Sequence, residues 1–151
     1  MFREATQGEK DLRNFSNLSQ LLPTLLNPKL KDYFEALTEC DRFIVKMDQD
    51  LKPWDVWLCP ISATPAFTHR PTGTAVEIDG RKVPYILASG GYTLPFAFTG
   101  HPVVVIPVGQ TQAGLPIGIQ IVGKRWQEIE LLAIAQEIDR VVDRFQRPPD
   151  Y

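Results

Sequence analysis

The chain has 151 residues, with 16 Lys and Arg against 18 Asp and Glu and a formal net charge of −2. That length suits a single domain, residues 1–151, and a domain of this size hides about 70% of the surface its unfolded chain exposes. Acids and bases are interspersed, with no basic stripe or Lys/Arg block, so the composition argues against a nucleic-acid partner and against an anionic membrane surface.

Residues 1–10 are polar and expected to be poorly ordered. From Asp11, which can serve as a cap, Leu12, Phe15, Leu18 and Leu22 recur at helical spacing until Pro23 stops the pattern. Asn27-Pro28 restarts it as a cap followed by a first-turn proline. Leu30, Tyr33, Phe34, Leu37, Ile44, Val45 and Leu51 then mark one apolar stripe on a long helix that ends near Lys52-Pro53, with Asp41 and Asp48 at the same spacing. Trp54–Cys59, closed by Pro60, reads as a buried strand, on which Trp54 and Trp57 would point to opposite faces.

Residues 62–74 carry Pro65, Pro71 and Gly73 and read as a loop. Asp79-Gly80 lies between 74–78 and 81–83, and a type I′ turn selects that dipeptide because both central residues need φ > 0, so a small hairpin is predicted. Ile86–Phe98 stays ambiguous, because Gly90, Gly91 and Pro95 weaken a helix without excluding one. Gly100 suits a left-handed helix stop, and Pro102 prevents continuation. Val103–Val108 and Ile117–Val122 are apolar on both faces, the pattern of strands covered by helices on two sides. So few strands cannot easily shield such a sheet, and some of its edges and faces are expected to meet more protein. A last helix is predicted from near Trp126, burying Ile129, Leu132, Ala135, Ile138, Val142 and Phe145, with Pro148-Pro149 beyond its end.

The two cysteines, Cys40 and Cys59, form neither a disulfide framework nor a metal spacing and favour a reduced, cytoplasmic setting. The start Met1-Phe2-Arg3-Glu4 lacks the apolar core of a signal peptide, and no apolar run approaches the roughly 20 residues that span a bilayer. A soluble protein is expected. His69 and His101 have no second ligand at metal spacing, so neither a zinc site nor any other metal or cofactor is expected. His69 reads as solvated, and His101 fits a structural or surface place better than a catalytic one. Cys59 is expected to act as a small buried hydrophobe.

Several pieces, taken in order, carry a resemblance. They are Asp41-Arg42 on the long helix, then Trp54-Asp55-Val56-Trp57-Leu58-Cys59-Pro60, then Asp79-Gly80-Arg81-Lys82-Val83-Pro84. Thr99-Gly100-x-Pro102, Pro107-Val108-Gly109, Gly114-Leu115-Pro116-x-Gly118-x-Gln120-x-x-Gly123, and Glu128 with Leu131-Leu132 complete the set. Together they resemble the carboxyl-terminal third of the amidase signature family of amide hydrolases. The resemblance implies an α/β fold: part of an amidase-signature fold, with a mixed β-sheet, flanking helices and a small β-hairpin. It implies hydrolysis of a small carboxylic amide to acid and ammonia by full-length relatives. Their Ser nucleophile, second Ser and Lys lie in an earlier part of the chain.

No catalytic residue is therefore assigned here. Ser89-Gly90-Gly91 has the wrong flanks and reads as a Gly-rich bend. By resemblance, the substrate-touching positions are Ile61 and Ser62 after the strand, and Gly90, Tyr92 and Phe96 near the last helix before the β-strand pair. Gly90 stands where the aminoacyl-tRNA amidotransferase branch typically places an Asp that reads the substrate's amino group, which argues against a tRNA-linked glutamine-producing role. Ala97 replaces an Asn common among amidases. By itself the chain is expected to be inactive. The alternative is a non-enzymatic assembly module that forms a homo-oligomer or pairs with a missing amino-terminal half.

Overall fold

The computed structural model describes residues 29–71 and 73–142. The predicted helix over 11–22, the Asn27-Pro28 cap, Phe145 and Pro148-Pro149 lie outside these residues. Helix α1 spans Leu30–Leu51, and its first turn is closed by the Lys29 backbone N–H, which donates to Asp32 Oδ2 at 3.0 Å. It stops at Lys52-Pro53, as predicted, because proline has no N–H to continue the ladder.

Strand β1, Trp57–Pro60, starts later than the sequence suggests. Trp54 sits in the turn after α1, its N–H bonded to Leu51 O at 3.0 Å, and its side chain is exposed. The two tryptophans are thus not opposite faces of one strand. The hairpin is as predicted: β2 (Val76–Ile78) and β3 (Arg81–Val83) pair antiparallel, with Asp79 at φ 49° and Gly80 at φ 73°. The ambiguous stretch resolves into two short helices, α2 (Tyr85–Gly90) and α3 (Leu94–Thr99). Gly100 ends α3 at φ 69°, its N–H donating to Phe96 O at 2.9 Å, so the left-handed stop is realised.

Strands β4 (Val103–Gln110) and β5 (Pro116–Val122) form a hairpin with an irregularity between Pro107 and Gly109. Strand order is β1-β5-β4, and both pairings are antiparallel, so among the described residues the sheet is not mixed. Among the described residues β4 pairs with β5 on one side only, and Pro107 is tolerated at that edge. Helix α4 spans Glu128–Val141, with Glu128 and Glu130 at its positive end.

Each face of the sheet carries its own core. Ile106, Ile121, Leu131 and Ala135 pack together on the α4 side, with Val104, Ile119 and Ile138 against them. Met47 of α1, Phe96 of α3 and Val122 form the other cluster, joined by Trp57 and Cys59. Burying each large aliphatic side chain here contributes about 1.5–3 kcal/mol. The double apolarity of β4 and β5 thus has the predicted cause. Coverage is incomplete, however: Val103 and Val105 on β4 and Leu58 on β1 remain exposed.

The predicted inner face of α4 holds at Ala135, Ile138 and Val142, which belong to or pack against the core, and is corrected at Ile129 and Leu132. Leu131 and Ala135 are buried, while Ile129 is 81% exposed and Leu132 is also exposed. Trp126 takes a left-handed φ of 66°, so the helix begins two residues later, at Glu128. Leu131 instead packs on Gly123, whose added Cβ would lie 3.0 Å from Leu131 Cδ2.

Candidate substrate cleft

Beyond Pro60 the chain leaves the sheet and turns through Ile61–Ala66, which faces the start of β5 at Pro116–Gly118. Between the two lies an open cleft of about 270 Å³, lined by residues 60–66 and 116–118. Every lining residue is uncharged, and Ser62 and Thr64 supply the side-chain polarity. Ser62 Oγ donates to the Thr64 carbonyl and so holds the turn. Gly118 is required by close approach, not by φ: a Cβ there would lie 2.8 Å from Ile61 Cδ1 and 3.1 Å from Ile106 O. Its bare backbone lets Ile61 lie across the strand.

Behind the cleft, Gln120 is only 2% exposed in an otherwise apolar strand segment. Its Nε2 donates to Pro60 O at 2.7 Å and to Tyr92 O at 2.8 Å. Both partners are carbonyl oxygens, so the amide must turn its NH2 towards them. One side chain thereby joins the end of β1 to the connection between α2 and α3. A second tie runs parallel, with Ala63 N–H donating to Ala88 O at 3.0 Å. Cys59 lies opposite Gln120 in the register, and burial pushes its thiol up, so it stays protonated.

The predicted positions fall in three places. Ile61 and Ser62 line the cleft. Gly90 and Tyr92 lie at the α2–α3 connection, tied to the cleft wall through the Tyr92 carbonyl, and Gly90 O accepts from Thr93 N–H. Phe96 is 9% exposed in the core with Met47 and Val122 and does not line the cleft. Ser89 Oγ donates to Tyr85 O at 2.8 Å, an in-helix bond that leaves it no base to activate it.

A second polar group ties α1 to the sheet. Asp48 accepts from Arg125 Nε at 3.2 Å and from Arg125 Nη2 at 2.6 Å. His101, buried, sets Nδ1 2.8 Å from Thr99 Oγ1 and Nε2 3.3 Å from Asp48 Oδ1. The second approach lacks hydrogen-bond alignment, so Nε2 is a buried polar atom without a true partner. Burial holds His101 below the ordinary imidazole range despite the pull of Asp48, and the Arg125 bond chiefly holds Asp48 below the usual carboxylate range. Thr99, His101 and Asp48 stand in the order of a hydrolytic triad, but Thr99 is buried, its hydroxyl also serves Pro95 O at 3.0 Å, and none of the three lines the cleft. The group is structural. Asp48 on the apolar stripe and Gln120 between two isoleucines are the sequence signals for these two polar ties, and neither signal names a partner.

Among the described residues no cluster of three or more His, Cys, Asp or Glu stands ready to hold a metal ion. No helix there is long and apolar enough to cross a membrane.

Fold and ordered motifs agree on a class of protein. Residues 17–132 match the family model described as Amidase, and the chain belongs to that family, the amidase signature enzymes. It is 41% identical over 93 residues to a glutamyl-tRNA(Gln) amidotransferase subunit of Myxococcus xanthus (strain DK1622), covering 62% of this chain and 18% of that one. It is 29% identical over 101 residues to the 6-aminohexanoate-cyclic-dimer hydrolase of Paenarthrobacter ureafaciens, covering 64% of this chain and 20% of that one. A crystal structure of an amidase superposes with a TM-score of 0.72 at 26% identity, covering 93% of this chain and 31% of that one. The chain thus spans about a fifth of the length of the curated relatives it matches.

Proposed function

We propose that this chain forms the carboxyl-terminal part of an amidase that hydrolyses small carboxylic amides to acid and ammonia, and that it is inactive alone. The observation that carries this reading is a scaffold without an attacking group. The uncharged cleft is built, yet among the described residues no hydroxyl or thiol near it is paired with a base. Ser62 and Ser89 each donate to a backbone carbonyl. Acyl transfer needs an activated nucleophile and preorganised oxyanion donors together, and the family's Ser/Lys set would have to come from other sequence. Gly90 favours a small amide over a charged, tRNA-linked substrate, because it supplies no carboxylate to read an amino group. The expected setting is cytoplasmic, without metal or cofactor.

The test is ammonia release from a panel of aliphatic and aryl amides. The purified chain should stay at the level of a heat-killed control. Turnover abolished by a Ser-directed phosphonate would refute the reading.

A second reading, an assembly module, draws on a specific observation: Leu30, Tyr33, Phe34 and Leu37 on α1 and Val103 and Val105 on β4 are exposed. Patches of this kind mark surfaces that meet protein, here a second copy or a separate amino-terminal half. Size-exclusion chromatography with light scattering tests it, and a monomer across the micromolar range counts against it.

A further inference from the structure

Gln120 is a buried carboxamide with both N–H donors committed, and packing alone gives no reason for it. Its neighbours in the strand, Ile119 and Ile121, belong to the apolar core. Its two acceptors belong to segments far apart in sequence: Pro60 O, where the chain turns into the cleft wall, and Tyr92 O, in the α2–α3 connection. A single planar NH2 group bonded at 2.7 and 2.8 Å fixes the two oxygens relative to each other. The Ala63–Ala88 bond closes the same gap on the other side of the turn. An apolar side chain of the same volume would leave two carbonyls to find other donors.

We infer that Gln120 is a positioning residue: it anchors the cleft wall at 60–66 to the α2–α3 connection, and thereby holds that wall's distance from Pro116–Gly118 across the cleft and the size of acyl group the cleft admits. For its ligand the inference rests on the amidase reading; its geometry does not depend on it. Placement within about 1 Å matters for such a wall, because small displacements of a bound group can cost on the order of a hundredfold in rate.

Two variants of the full chain test it. Gln120→Met keeps an unbranched side chain of similar size without donors. Gln120→Glu keeps one donor while protonated and presents a carboxylate to two carbonyl oxygens once ionised. Amide hydrogen exchange, corrected for intrinsic rates, should speed up tenfold or more at Ala63 and Thr93 in the Met variant, with Ile106 and Ile119 within twofold of the parent. In the Glu variant the acceleration should grow as pH rises through the carboxyl titration and fade below it; the parent should show no such profile. A uniform acceleration across the core, or a Glu variant without pH dependence, overturns the inference. If the Met variant fails to fold, the Glu profile decides alone.

A second arm reads size selection. Acetamide, butyramide and hexanamide are titrated against each form while the Ile61 and Gly118 amide resonances are followed. The ratio of affinities between the shortest and longest amide should shrink threefold or more in the Met variant. Unchanged ratios overturn the inference and leave the amidase reading standing. No binding of any amide by the parent chain overturns the assignment of this cleft as an amide site, and the role of Gln120 in size selection with it, while the family membership stands.

Discussion

The two halves of α1 carry one continuous apolar stripe, yet they meet different surroundings. Towards its end, Met47 and Leu51 are buried, Met47 packs with Phe96 and Val122, and Asp48 is held by Arg125. Towards its start, Leu30, Tyr33, Phe34 and Leu37 repeat the same spacing but remain exposed among the described residues, Leu30 by 71%. Helical periodicity says which side of a helix is apolar; burial also needs a partner surface. The covered half is covered because β5 and α3 reach it, and the bare half extends past them. The contrast fits a chain that spans about a fifth of its curated relatives.

Substitutions can break or sharpen this comparison. Leu51→Ala, at a fully buried site, should cost about 2–5 kcal/mol in denaturant unfolding through lost burial and the cavity left behind. A loss below about 1 kcal/mol would show that the covered half is not a working core. Gly118→Ala should cost about 1–3 kcal/mol, because its Cβ must displace Ile61 and press on the Ile106 carbonyl. A crystal structure of that variant should show Ile61 moved and the cleft narrowed.

Acid should loosen the anchored half in two steps. His101 is held below its ordinary value of 6.5, so the unfolded chain binds that proton first, and stability falls as pH drops below about 6.5. Asp48 is held below 3.8, so its contribution is present above that value and is lost as pH falls further. Melting temperature against pH should show both limbs, and His101→Gln should remove the upper one while leaving the lower. At the small end, Phe34→Ala and Ile129→Ala, both exposed, should stay within about 0.5 kcal/mol of the parent at high dilution. A loss at Phe34 comparable with Leu51→Ala would mean that a partner surface already covers it.

Legibility follows the range of the interactions involved. Asp79-Gly80 and Gly100 are local choices of backbone dihedral, and two or three residues suffice to read each. Helix α1 is legible from periodicity, and the strand pair from two continuous apolar runs separated by turn residues. The inner face of α4 is legible only in part: Ala135 and Ile138 pack as the periodicity predicts, whereas at the start of the helix Ile129, Leu131 and Leu132 are all apolar and only the sheet's position selects Leu131. Ile61 and Ser62 line the cleft beside Gly118, whereas Phe96, named with them from the sequence, goes to the core.

By itself the sequence determined the local conformations and the family, because turn chemistry, periodicity and ordered motifs are carried by neighbours in the chain. The tertiary structure alone decided which carbonyls Gln120 joins, which residue at the start of α4 is buried and that His101 lies beneath Asp48. Those outcomes depend on segments up to 77 residues apart being brought within hydrogen-bond distance, as with Asp48 and Arg125. No local pattern encodes a contact whose other half is supplied by a distant part of the chain.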